Sequence, residues 1–135
     1  TSILMQNENA RTVLDMTEEW DKISGGSSTL MMGCVIVRNQ FLQENPGAVA
    51  LFLEDYAASI EKAQSDAAGT AALCEQYGLI PKAALAEKAI PFCGLTFVSG
   101  EEMKTQLGGY LQVMFDADPK SVGGALPGDD FYYGA

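Results

Sequence analysis

The chain has 135 residues, enough for one domain with a real core, and its 47% hydrophobic and 19% charged residues place it with soluble globular chains rather than disordered ones. The formal net charge of −10 gives a surface that repels a nucleic-acid backbone and anionic lipid alike. There is no histidine, which excludes a Ser-His-Asp or Cys-His nucleophile and any histidine-containing zinc site.

In chain order, "TSILMQNEN" reads as a short helix and "RTVLDM" alternates like a short strand. "TEEWDKIS" is a helix, with Thr17 as its N-cap and acidic residues in the first turn. "GGSST" is a flexible turn. "LMMGCVIVR" is the strongest strand signal, apolar enough to be buried on both faces, and much shorter than the roughly 20 residues a membrane span needs. Asn45 and Pro46 then open the clearest helix, whose apolar face is Val49, Phe52, Leu53, Tyr56, Ala57, Ile60 and Ala63. Ser65 or Asp66 caps a second helix running to Tyr77, with Gly78 placed for a left-handed C-terminal cap. "PKAALAEKA" is a third, short helix, and Pro91 stops it.

"CGLTFV" is extended, and Ser99 with Glu102 forms a capping box for the last helix. Met103, Leu107, Tyr110, Leu111 and Met114 line one face of that helix. The pair Gly108 and Gly109 weakens its middle by roughly 1 kcal/mol each and invites close approach of another backbone. Residues 117–135 form an irregular tail, pinned by Val122, Leu126 and the aromatic run Phe131, Tyr132 and Tyr133. No repeat and no domain-sized linker is visible. No signal-like apolar stretch opens the chain, which begins at Thr1 without a methionine and therefore reads as a processed product, a trimmed chain or a fragment. Few strands against many helices suggest that further strands lie in sequence outside these residues.

Four stretches carry a resemblance: "LDMTEEWDK", "MGCVIVRNQFLQENPGAVALFLEDYAASIEKA", "AEKAIPFCGLTFVSGEEMK" and "PKSVGGALPGDDFYYG". Together they resemble the C-terminal part of bacterial ABC-transporter substrate-binding proteins of the NMT1/THI5-like family. That family has the type II periplasmic-binding-protein fold. The resemblance implies an α/β fold, with 1–135 as a helix-rich C-terminal lobe portion of short strands plus four or five helices. It implies a non-catalytic solute receptor without a cofactor, working outside the cytoplasm, periplasmic or lipid-anchored as a lipoprotein. Its partners would be a small-molecule solute, an ABC permease, and the missing N-terminal portion or a second copy of the chain; nucleic acid is not among them.

Within such a fold, ligand contacts come from loops at strand ends facing the cleft. The loop "STLMMG" therefore offers Thr29, Met31, Met32 and Gly33, and the lone tryptophan, Trp20, would stack on a planar ligand. Ordinary packing competes for Trp20, Met31 and Met32. Only Arg11 and Arg38 are available as arginines, and Glu101 and Glu102 at a helix start oppose an anion, so a planar heterocycle such as a pyrimidine fits better than a sulfonate or nitrate.

Of the three cysteines, Cys74 reads as a small buried hydrophobe. An exported protein would have the option of joining Cys34 to Cys93. No C-x-x-C spacing supports a redox or zinc motif. Two alternatives stand beside the receptor. One is a pyridoxal-dependent pyrimidine-synthesis relative, which in that family uses a histidine this chain lacks. The other is the effector-binding domain of a regulator.

Overall fold

A computed structural model describes residues 7–134. The chain divides into two compact units. One comprises residues 1–11 and 36–97, the other 12–35 and 98–135, so the chain passes between them three times.

The first unit is a stack of helices: α2 (Asn39–Glu44), α3 (Pro46–Ser65), α4 (Ala67–Gln76) and α5 (Ala83–Ala89), followed by a 3-10 turn at Ile90–Phe92. Pro46 opens α3 because its missing N–H is one the first turn would leave unpaired anyway. Asn45 precedes it, but its side chain donates back to the Phe41 carbonyl instead of capping α3. Between α3 and α4 stands Asp66, whose carboxylate accepts the Gly69 N–H at 2.9 Å and pairs with Lys62 at 2.9 Å. Gly78, at φ 69°, ends α4: its N–H reaches the Glu75 carbonyl while the Leu79 N–H reaches that of Cys74, the paired bonds of a Schellman cap. Lys82 offers no side-chain acceptor to the start of α5, and Glu75 supplies one from α4, accepting the Ala83 N–H at 2.6 Å. The core here is small: Val49, Ala71, Ala86 and Ala89 are the buried apolar residues among those described. Alanines at these positions let α4 and α5 approach closely, which replaces side-chain volume with backbone proximity.

The Lys62 hydrogen bond, then the Gly69 N–H, hold the Asp66 carboxyl below the ordinary aspartate value of 3.8. A carboxyl whose folded pKa lies below its unfolded one stabilises the fold fully above the unfolded value. That contribution is lost as pH falls through the lower folded value. Asp66→Ala is therefore expected to lower the thermal midpoint by a few degrees at pH 7. The gap from the unsubstituted chain should begin to narrow below about pH 3.8 and close only below the lower folded value. Melts followed by circular dichroism at pH 7 and pH 3 check this; an equal gap at both values would deny the carboxylate its role.

The second unit contains α1 (Met16–Ser24), α6 (Gly100–Ala117) and 3-10 turns at Pro119–Val122 and Asp129–Phe131. Asp15, two residues before Thr17, caps α1 by accepting the Thr17 and Glu18 N–H groups at 2.9 and 3.3 Å. The expected capping box at α6 does not form. Ser99 makes no side-chain cap bond, and Glu102 instead accepts from Gln106 one turn on. The tail is less irregular than its composition suggests. Lys104 pairs with Asp129 at 3.0 Å, and Val122 and Tyr132 are half-buried. Leu126, Phe131 and Tyr133 stay exposed.

The α/β expectation is overturned. Among the described residues there is no strand, and the helix-rich portion carries helices and turns alone. Residues 11–15, 29–38 and 94–99 are irregular chain, and each run includes one of the three passages between the units. A β-branched apolar run expresses a dihedral preference, whereas a ladder also requires a partner to take its N–H and C=O groups. None of these segments finds one among the described residues. The helix expected over the first nine residues falls mostly outside the described chain, and Asn7–Ala10 forms a turn.

Candidate functional site

Trp20 is half-buried on the inward side of α1. Its indole N–H donates to the Ser28 hydroxyl at 2.9 Å, and its ring stacks on Tyr110 of α6 with centroids 4.9 Å apart at 28°. Ser28 is the one buried polar residue among those described. The loop holding it is folded on itself, with the Ser27 hydroxyl donating to the Ser24 carbonyl at 2.6 Å and the Ser24 hydroxyl to the Ser28 carbonyl at 3.3 Å. Gly109 makes the approach possible. A Cβ there would stand 2.8 Å from both the Ser27 carbonyl oxygen and the Ser28 Cβ. The close approach expected at the glycine pair is thus made, by the serine loop.

Thr29 follows this node directly and is exposed; Met31 is half-buried, and Met32 and Gly33 are exposed on irregular chain. The structure brings Trp20 to Ser28, next to Thr29, and does not gather Met31, Met32 and Gly33 around it. One face of the indole is occupied by Tyr110, and its N–H is already satisfied, so the node acts first as a fastening between α1, the 24–28 loop and α6.

In the other unit a shallow depression of about 170 Å³ is lined by Gln64, Ala67, Ile90, Pro91, Gly94 and Leu95. That is below the several hundred Å³ of a typical ligand pocket. The Gln64 amide donates to the Leu95 carbonyl across it, so its two best polar groups satisfy each other. No titratable side chain lines it. Nearby on α3, Phe52 and Tyr56 stack at 5.6 Å, and Tyr56 meets Phe97 edge-on at 6.2 Å.

Cys34, Cys74 and Cys93 are free thiols. Cys34 and Cys93 lie in different units, and Cys74 is half-buried rather than buried. The Cys93 thiol donates to the Ala89 carbonyl at 3.3 Å, which ties it to the end of α5. Among the described residues no three or more Cys, Asp or Glu side chains are grouped to hold a metal ion. The two shifted pKa values belong to ion pairs elsewhere, Asp66 with Lys62 and Lys104 with Asp129. The Asp129 hydrogen bond raises the Lys104 ammonium above its ordinary value.

No family model, no curated protein and no solved structure matches the chain. Among the described residues no helix is long and apolar enough to cross a membrane.

Proposed function

We propose that the chain is part of the solute-binding component of an ABC importer, a non-catalytic receptor that captures a small molecule and hands it to a permease. What supports this reading is the set of four sequence stretches that resemble such receptors. The absence of histidine from the sequence favours capture over catalysis.

A planar heterocycle of the pyrimidine kind is the preferred solute, because the chain has two arginines and a large acidic excess that disfavours anions. The receptor works outside the cytoplasm, free or lipid-anchored, together with the N-terminal portion of its polypeptide or a second copy of the chain. Calorimetry on the complete receptor tests the reading, with an aminopyrimidine, a sulfonate and nitrate as probes. Saturable heat with the aminopyrimidine alone is expected. If no small solute gives saturable heat, the receptor reading fails; heat from an anion alone would overturn the solute class.

A further inference from the structure

We propose that residues 125–134 form a strap that swings off α6 as one piece, hinged at Gly123 and Gly124, on the microsecond-to-millisecond timescale. The device lies wholly within the unit built from α1 and α6, and it does not rest on solute capture.

The tail has two parts with different attachments. The 3-10 turn Pro119–Val122 is fastened to the end of α6. The Asp118 N–H donates to the Met114 carbonyl at 3.0 Å, the Ser121 hydroxyl donates to the same carbonyl at 3.1 Å, and Val122 is half-buried. Gly123 and Gly124 close this part, their N–H groups reaching the Lys120 and Pro119 carbonyls at 3.2 and 2.8 Å.

The second part runs back along α6 and is held by few contacts. Asp129 pairs with Lys104 at 3.0 Å. The Tyr132 hydroxyl lies 3.7 Å from where a Cβ on Gly108 would stand, and the Gly134 carbonyl oxygen lies 3.3 Å from the same point on Gly100. Gly100, Lys104 and Gly108 are spaced four residues apart, so they share one face of the helix. Among the described residues no backbone hydrogen bond joins this part to α6; the Phe131 and Tyr132 N–H groups close their own turn, on Gly128 and Asp129. Of residues 125–134, only Pro127 and Tyr132 are not exposed. The Asp129 side chain is 92% exposed, so its ion pair contributes little. A segment with so little buried area and no backbone bond to its support sits at the low end of local stability.

The hinge permits the motion and the support survives it. Gly123 and Gly124 have φ of 81° and 89°, with no atom within 4 Å of either Cβ position, and glycine can change these dihedrals without a clash. The backbone ladder of α6 is internal to the helix, and the stack of Tyr110 on Trp20 does not involve the strap. Opening frees the Lys104 ammonium from Asp129 and uncovers the face of Gly100, Lys104 and Gly108.

Nitrogen relaxation dispersion on the full chain tests this. The amides of 125–134 should share one exchange rate and one open population, with Lys120 and Ser121 outside the process. In α6 it should appear only beside Gly100, Lys104 and Gly108. Asp129→Asn and Lys104→Gln should each raise the open population about two- to fivefold. Both remove the same ion pair, so the double variant should match the single ones. Ser121→Ala, on the fixed side of the hinge, should leave the population unchanged. Unshifted Trp20 emission certifies that α1 and α6 stay folded in each variant. Rates that climb residue by residue toward Gly134 mean fraying, exchange along the whole of α6 means unfolding of the unit, and flat profiles across 125–134 mean a tail that stays seated. Each of these overturns the proposal, as does an equal rise in Ser121→Ala.

Discussion

Gly109→Ala will destabilise the unit built from α1 and α6, and Gly108→Ala, one residue away, will stabilise it. On helix propensity alone both should gain, by about 1 kcal/mol, because alanine loses less backbone entropy than glycine in a helix interior. The surroundings separate them. At Gly108 a new Cβ would meet only the Tyr132 hydroxyl, at 3.7 Å, an ordinary contact. At Gly109 it would stand 2.8 Å from the Ser27 carbonyl oxygen and 2.8 Å from the Ser28 Cβ, and neither belongs to the free end of a flexible side chain. The loop must move, and it is pinned by the Ser24, Ser27 and Trp20 hydrogen bonds. Overpacking of this kind costs about 1–3 kcal/mol, which exceeds the propensity gain at the upper part of its range. The expected net loss is about 1–2 kcal/mol, with a red shift of Trp20 emission as the indole loses Ser28. Urea unfolding followed by that emission reports on this unit, since Trp20 is the only tryptophan. Two glycine variants of equal sign would mean that the loop does not rest on α6.

The same glycine pair shows which parts of the molecule could be read from the sequence. Local devices were legible where one residue suffices: Pro46 at the start of α3, Asp66 between two helices, Gly78 in its left-handed cap, and Gly109 as a place of close approach. Devices with two local solutions were not. Ser99 and Glu102 have capping-box spacing, yet Glu102 is taken by Gln106, and Thr17 yields to Asp15, which reaches two N–H groups at once.

The strands failed for a different reason. The segments at 11–16 and 30–38 have the composition of strands, but composition says nothing about which other segment supplies a ladder. Their irregular course between the units is a nonlocal outcome. The candidate site divides along the same line. Trp20 was visible as a lone tryptophan beside a loop. Its partners were not, because Tyr110 is ninety residues away and Ser28 sits in a run read as flexible. The signal that pointed to them was Gly109, whose missing side chain marks where the serine loop lies.

Trp20 itself gives the second large effect, and its form distinguishes fastening from ligand contact. Trp20→Ala removes the stack on Tyr110 and the bond to Ser28 together. A fully buried aromatic costs about 3–5 kcal/mol to remove, and half-burial brings the expected loss to about 2 kcal/mol. Trp20→Phe keeps a ring against Tyr110 but leaves the buried Ser28 hydroxyl without its donor, an expected loss of about 1–2 kcal/mol. Ser28→Ala in turn leaves the indole N–H unpaired. If the two groups exist for each other, removing both should cost less than the sum of removing each, by about 1 kcal/mol. The double-mutant cycle of Trp20→Phe and Ser28→Ala, read by circular dichroism in urea, measures that coupling without a tryptophan signal. A residue kept for stacking on a solute would show losses that simply add, and its Phe variant would keep full stability while solute affinity fell. Coupling of the expected size makes Trp20 a structural fastening, and it moves the search for a solute-contacting aromatic away from this node to Phe52, Tyr56 and Phe97 in the other unit.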